Sequence, residues 1–181
     1  MHLKKVFLPL LLTAFTVSAS AENALATIPG LNIQRYMGTW YEIAKYPNSF
    51  QKKCASNTSA RYSALPDGTV RVENRCKQVD GEVRDAIGQA RQMGDANSPK
   101  LVVRFAPAWL SFLPFVWGNY WVIDLDTDYQ LVAVSEPNQK YLWILSRKPE
   151  VDTKTYGELL GRLQKRGFDL KKLEKSVQTK L

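Results

Sequence analysis

Histidine is all but absent: the single one is His2, at the extreme N-terminus. Beyond it the sequence excludes a Ser-His-Asp or Cys-His relay, a histidine pH switch and zinc held by imidazole. Cysteine is nearly as scarce, with Cys54 and Cys76 alone. A membrane-spanning helix needs roughly 20 apolar residues, and the apolar stretch 6–17 stops at 12. Internal repeats, low-complexity tracts, zinc-finger, helix-turn-helix and RNA-binding signatures are also missing, so no nucleic acid partner is expected. Asp124, Asp126 and Asp128 open like a calcium loop, but Tyr129 stands where Gly is wanted and Ser135 where Glu is wanted. Neither a metal nor a cofactor is expected.

What remains is 181 residues, 45% hydrophobic, 23% charged and 11% aromatic, the balance of one globular domain. His2, Lys4 and Lys5 precede the 6–17 run and Ala19-Ser20-Ala21 closes it, the pattern of a secretory signal peptide over 1–21. The working domain is then expected at 22–181, periplasmic or secreted, and soluble. No cysteine lies beside the cut, so N-terminal lipidation is not expected. Losing Lys4 and Lys5 takes the basic residues from 25 to 23 against 17 acidic, still a positive balance. An oxidising compartment favours a disulfide between Cys54 and Cys76; the alternative is a reactive thiol, which would need a neighbouring Lys or Arg to lower its pKa.

Past residue 32 the chain breaks into short segments of period-two texture separated by turn residues. Eight strands are predicted, at 38–46, 57–65, 69–76, 83–93, 101–105, 119–124, 129–134 and 141–147. Pro66-Asp67-Gly68, Asp80-Gly81 and Pro137-Asn138 supply turns. A helix follows: Asp152 can cap it, Tyr156, Leu159, Leu160 and Leu163 form one apolar stripe, and Gly167 can end it. A last edge strand is expected around 176–178. Eight antiparallel strands in so short a chain favour closure, because an open sheet leaves two unpaired edges. The fold class is therefore all-β, an eight-stranded antiparallel up-and-down β-barrel with one C-terminal helix packed outside. Ala60, Ala64, Ala86, Gly88 and Ala90 fall at alternating positions, where small side chains leave volume unfilled. A cavity is the economical reading.

Three ordered motifs then match a known family. Gly38-Thr39-Trp40-Tyr41, Asp126-Thr127-Asp128-Tyr129 and Leu142-Trp143-Ile144-Leu145-Ser146-Arg147 resemble the three signature regions of the lipocalins, most like bacterial lipocalins and apolipoprotein D. The resemblance spans nearly all of 22–181, helix included. It implies that Trp40 plugs the closed end, that Arg147 lies across its indole as a cation–π lid, and that Gly38, Asp126 and Tyr129 complete the closure. These are stabilising residues. The lipid-modified cysteine of bacterial lipocalins has no counterpart beside the expected cut, and the Cys54–Cys76 pair would tie the loop after the first strand to the barrel wall.

Alternation anchored on Trp40 and Arg147, with the family's pattern of inward positions, implies a ligand-binding inner wall. Its first half is Ala60, Tyr62, Val72, Asn74, Ala86 and Gly88. The second half is Val103, Phe105, Tyr120, Val122, Tyr141 and Trp143. A register slip of one residue inverts any strand's contribution. The lining is apolar with few polar groups, which suits an acyl chain below and a polar head near the mouth. Between the fifth and sixth strands, Trp109, Leu110, Phe112, Phe115 and Trp117 sit in a proline-broken connection. In the lipocalin order it hangs at the mouth, where it could line the entrance, contact a membrane surface, meet a second copy or fold back on its own barrel.

The expected function is binding and carriage of a small hydrophobic or amphiphilic ligand, such as a fatty acid or lysophospholipid, by a monomer or homodimer without catalysis. Membrane lipid storage, transport or repair would follow from it. The alternative is a lipocalin-fold enzyme acting on a lipid or isoprenoid, using Glu42, the Asn74 amide or a free cysteine.

Overall fold

The structure, a computed structural model, describes residues 25–179. The expected signal peptide lies outside them. Asn32 caps a single helical turn, α1 (Ile33–Tyr36), by accepting from the Arg35 amide at 3.1 Å. The strands follow: β1 (Gly38–Lys45), β2 (Cys54–Ala64), β3 (Val70–Gln78), β4 (Val83–Gln92), β5 (Lys100–Arg104), β6 (Gly118–Leu125), β7 (Leu131–Ser135) and β8 (Leu142–Ser146). Each pairs antiparallel with the next, and β1 pairs with both β8 and β2, so the barrel closes and leaves no open edge among these eight. The helix α2 (Thr153–Lys165) and a two-residue strand β9 (Glu174–Lys175), paired outside β1, complete the described chain. The edge strand therefore falls slightly earlier than the 176–178 expected. No helix among the described residues is long and apolar enough to cross a membrane.

Connections alternate between the two ends of the barrel. The segments 46–53, 79–82, 105–117 and 136–141 lie at the mouth; 65–69, 93–99 and 126–130 lie with α1 at the closed end.

Strand composition records what covers each wall. In β7 all of Leu131, Val132, Ala133, Val134 and Ser135 are buried, because Val132 and Val134 face the interior while Leu131 and Ala133 face α2. Period-two patterning disappears when both faces are covered. In β4 most outward residues are exposed, as no helix lies there. A bulge between Glu42 and Ala44 re-aims β1, so that Trp40 and Glu42 point inward while Ala44 joins the outer layer.

The helix forms as its sequence dictates. Asp152 accepts from the amides of Lys154 and Thr155, each at 3.0 Å, and Gly167 ends the run at φ +89°. Leu159 and Leu163 are fully buried against Ile123, Ala133 and Ile144, each worth about 1.5–3 kcal/mol. A bidentate ion pair from Arg162 to Asp124, at 2.8 and 2.9 Å, fixes the helix to β6.

Candidate ligand cavity

The closed end is a stack of satisfied groups. Trp40 is fully buried and donates its indole N–H to the Tyr36 carbonyl at 2.9 Å. The Arg147 guanidinium lies 3.9 Å from the Trp40 ring centroid and donates to the carbonyls of Thr39, Arg35 and Tyr129 at 3.0, 2.9 and 3.3 Å. Gly38 has φ +98°, and a Cβ there would stand 3.1 Å from an Arg147 nitrogen, so glycine fits both backbone and lid. Asp126 accepts from the amides of Gln130 and Leu131 at 2.7 and 2.6 Å, forming the turn that holds Tyr129 at φ +60°. Asn32 in turn donates its amide to the Tyr129 hydroxyl at 3.0 Å.

Above this floor opens a cavity of about 830 Å³, near the top of the roughly 300–1,000 Å³ usual for ligand sites. Ala60, Tyr62, Val72, Asn74, Ala86, Val103, Phe105, Tyr120, Tyr141 and Trp143 all line it. Two of the twelve expected positions differ. Val122 is fully buried in the packed core and does not reach the cavity. Gly88 contributes no free volume: a Cβ there would fall 2.6 Å from the Arg104 carbonyl and 2.8 Å from the Phe105 ring, which lies on the glycine. Ala64 is exposed near the end of β2 and does not contribute either.

Polar groups enter at two depths. Deep in the cavity, Tyr120 shares hydrogen bonds with Tyr36 at 2.7 Å and Tyr62 at 3.0 Å. Burial pushes the Tyr62 phenol up to about 12 and raises Tyr36 and Tyr120 as well. Tyr36 was not legible as a lining residue, because it sits on the short α1 turn that no strand periodicity flags. Toward the mouth, Glu42 is buried, accepting from Gln51 at 2.6 Å and Ser176 at 2.5 Å. Burial raises its carboxyl while those two hydrogen bonds oppose the rise. Gln51 also accepts from the Trp143 indole at 3.0 Å, joining the mouth to the Glu42 network.

At the rim Phe50 packs 5.3 Å from Tyr141, which packs 5.7 Å from Trp143. The 105–117 connection makes two single 3-10 turns, Ala108–Leu110 and Pro114–Val116. Its aromatics divide. Trp117 lies near the guanidinium groups of Arg91 and Arg104, at 4.6 and 5.2 Å, and it lines the cavity together with Phe115. Trp109, Phe112 and Phe115 are 72%, 75% and 80% exposed, and Leu110 is half-buried.

Cys54 and Cys76 form a disulfide with their Cα atoms 5.6 Å apart. Cys54 opens β2 and Cys76 lies within β3, so the bridge joins neighbouring strands near the mouth where a loop-to-wall link was expected. No free cysteine remains among the described residues, which removes the thiol from the enzymatic alternative. Described His, Cys, Asp and Glu residues form no cluster able to hold a metal ion.

A barrel sealed at one end, open at the other and hollow between is a container built round an internal binding space. The family described as Lipocalin-like domain matches residues 31–178, so the chain belongs to the lipocalin family and has its hydrophobic ligand-binding fold. Temperature-induced lipocalin-1 of Arabidopsis thaliana is 40% identical over 161 residues, covering 87% of this chain and 85% of its own. Outer membrane lipoprotein Blc of Escherichia coli K12 is 34% identical over 156 residues, covering 86% and 84%. Among solved structures, insecticyanin of Manduca sexta superposes with a TM-score of 0.67 over 86% of this chain and 85% of that one, at 20% identity. That last likeness is one of fold.

Proposed function

We propose that the protein is an exported, non-lipidated carrier that takes a fatty acid, lysophospholipid or similar amphiphile into the barrel without converting it. The carrying observation is the 830 Å³ cavity, lined by aliphatic and aromatic side chains above a fully packed floor. Glu42, the remaining candidate acid, is engaged by Ser176 and Gln51, and among the described residues no histidine or free thiol stands by to complete a relay. Apolar burial is the driving force, worth about 0.8 kcal/mol per methylene, so affinity rises about fourfold per added carbon until the barrel is full. Titration with saturated fatty acids of graded length, read by tryptophan fluorescence, tests this. Equal affinity for short and long chains would sink it.

A second reading concerns delivery. Three aromatic side chains standing more than two-thirds exposed at the mouth favour contact with a membrane surface, from which a ligand could pass straight into the cavity. Vesicle flotation tests it, and sedimentation separates membrane contact from pairing of two copies through the same loop.

A further inference from the structure

The cavity's deep end is polar where a tail-down amphiphile would want hydrocarbon. Tyr36, Tyr62 and Tyr120 all line it, around them Val70, Val72, Leu101 and Leu145. Their hydroxyls form a chain with Tyr120 in the middle, joined by two contacts of 2.7 and 3.0 Å. Each hydroxyl carries one proton to donate. Two contacts use two protons whichever way the chain is oriented, and among the described residues no further acceptor reaches the three oxygens. One O–H is therefore always left over, free to donate to whatever occupies the cavity beside it.

We infer that the three phenols form a subsite for a neutral oxygen, a hydroxyl or carbonyl, carried at the buried end of the ligand. The inference rests on the barrel being a carrier and narrows its cargo to chains oxygenated at both ends. A carboxylate is the wrong fit, since a buried anion asks for two or three donors and one is spare. Arg147, whose charge reaches Tyr36 and Tyr62, is committed to three backbone carbonyls and the face of Trp40. The phenols are protonated at neutral pH, the more so because burial raises them above their ordinary 10.0, so they remain donors.

The probes are two series of matched length, saturated fatty acids and their ω-hydroxy acids, titrated by displacement of a fluorescent fatty acid. In a plain apolar pocket the added hydroxyl weakens binding about tenfold at every length, because it is buried without a partner. Here the hydroxy acid binds as tightly as the plain acid, or more tightly, at the chain length that reaches the phenols. Loss of the Tyr36 or Tyr62 hydroxyl still leaves one O–H over and loss of the Tyr120 hydroxyl leaves two, so the decisive variant is the isosteric Tyr36→Phe/Tyr62→Phe/Tyr120→Phe. In it the length-specific advantage disappears, so that the hydroxy acid of that length binds about tenfold more weakly than the plain acid of the same length measured on the same variant. A tenfold penalty at all lengths in the unaltered protein overturns the subsite even if the variant fails to fold. Binding of neither series overturns the carrier reading instead, and the two failures are distinct.

Discussion

At the closed end Arg147 commits its guanidinium to three carbonyls and an indole face, and Trp40 has no exposed surface. At the mouth, built from the same strands, Trp109, Phe112 and Phe115 stand in solvent and Glu42 hangs on a relay of Gln51 and Ser176. One end uses aromatic area for stability, whereas the other keeps it free for contact. The proposed carriage needs that division, since a container that stored its stability at the rim could not open there.

The largest expected effect tests it directly. Trp40→Ala leaves a cavity under the Arg147 lid and lowers unfolding free energy by about 3–5 kcal/mol, read as a shift of the urea midpoint. Trp143→Ala, half-buried at the rim, moves ligand affinity more than the midpoint. If both changes move the same quantity, the two ends are not divided as argued.

The disulfide is next in size and lies on the mouth side. Its Cys54–Cys76 separation is 22 residues, for which the chain-entropy model gives about 3 kcal/mol. Cys54→Ser/Cys76→Ser lowers stability by that amount, measured against the oxidised parent in urea. The cross-link stabilises a region whose outward strand faces, in β4 above all, bury little.

How far this architecture was legible follows from the same contrast. The strands covered on one face and α2 could be read because period-two texture, Asp152 and the 156–163 stripe report that covering, whereas β7 is buried on both faces and lacks the texture. Closure at Trp40 and Arg147 rested on the family resemblance. Reading failed where the determinants are non-local. Val122 and Gly88 alternate correctly, yet a packed core takes one and the Phe105 ring fills the space over the other. Tyr36 escaped because a four-residue turn has no periodicity. Cys54 was expected in a loop, but pairing with β3 extends β2 back to it.

A pH effect of intermediate size belongs to the deep end. Tyr62 titrates at about 12 in the fold against an ordinary 10.0, and Tyr36 and Tyr120 are raised too, all through burial. Folding therefore holds their protons more tightly than the unfolded chain does. That stability is whole below pH 10 and is lost as pH climbs through the folded value, by about 1.4 kcal/mol per unit for one phenol. Urea midpoints between pH 9 and 12 fall steeply in the parent and less steeply in the triple phenylalanine variant, which keeps the slope due to Tyr46 and Tyr156, both also raised by burial. An equal fall in both would place the titrating groups elsewhere.

The smallest effect on stability is expected where the apolar side chains are largest and most exposed. Trp109→Ser and Phe112→Ser change residues at 72% and 75% exposure, so stability moves by less than about 0.5 kcal/mol. The same variants cut vesicle flotation severalfold if the loop meets lipid. Trp117 supplies the control: it lies near Arg91 and Arg104 and donates to the Ser111 carbonyl at 2.8 Å, so Trp117→Ser loosens the loop and shifts the midpoint. A loop that served only to cover its own barrel would reverse this, because Trp109 and Phe112 would then register in the urea midpoint and leave flotation unchanged.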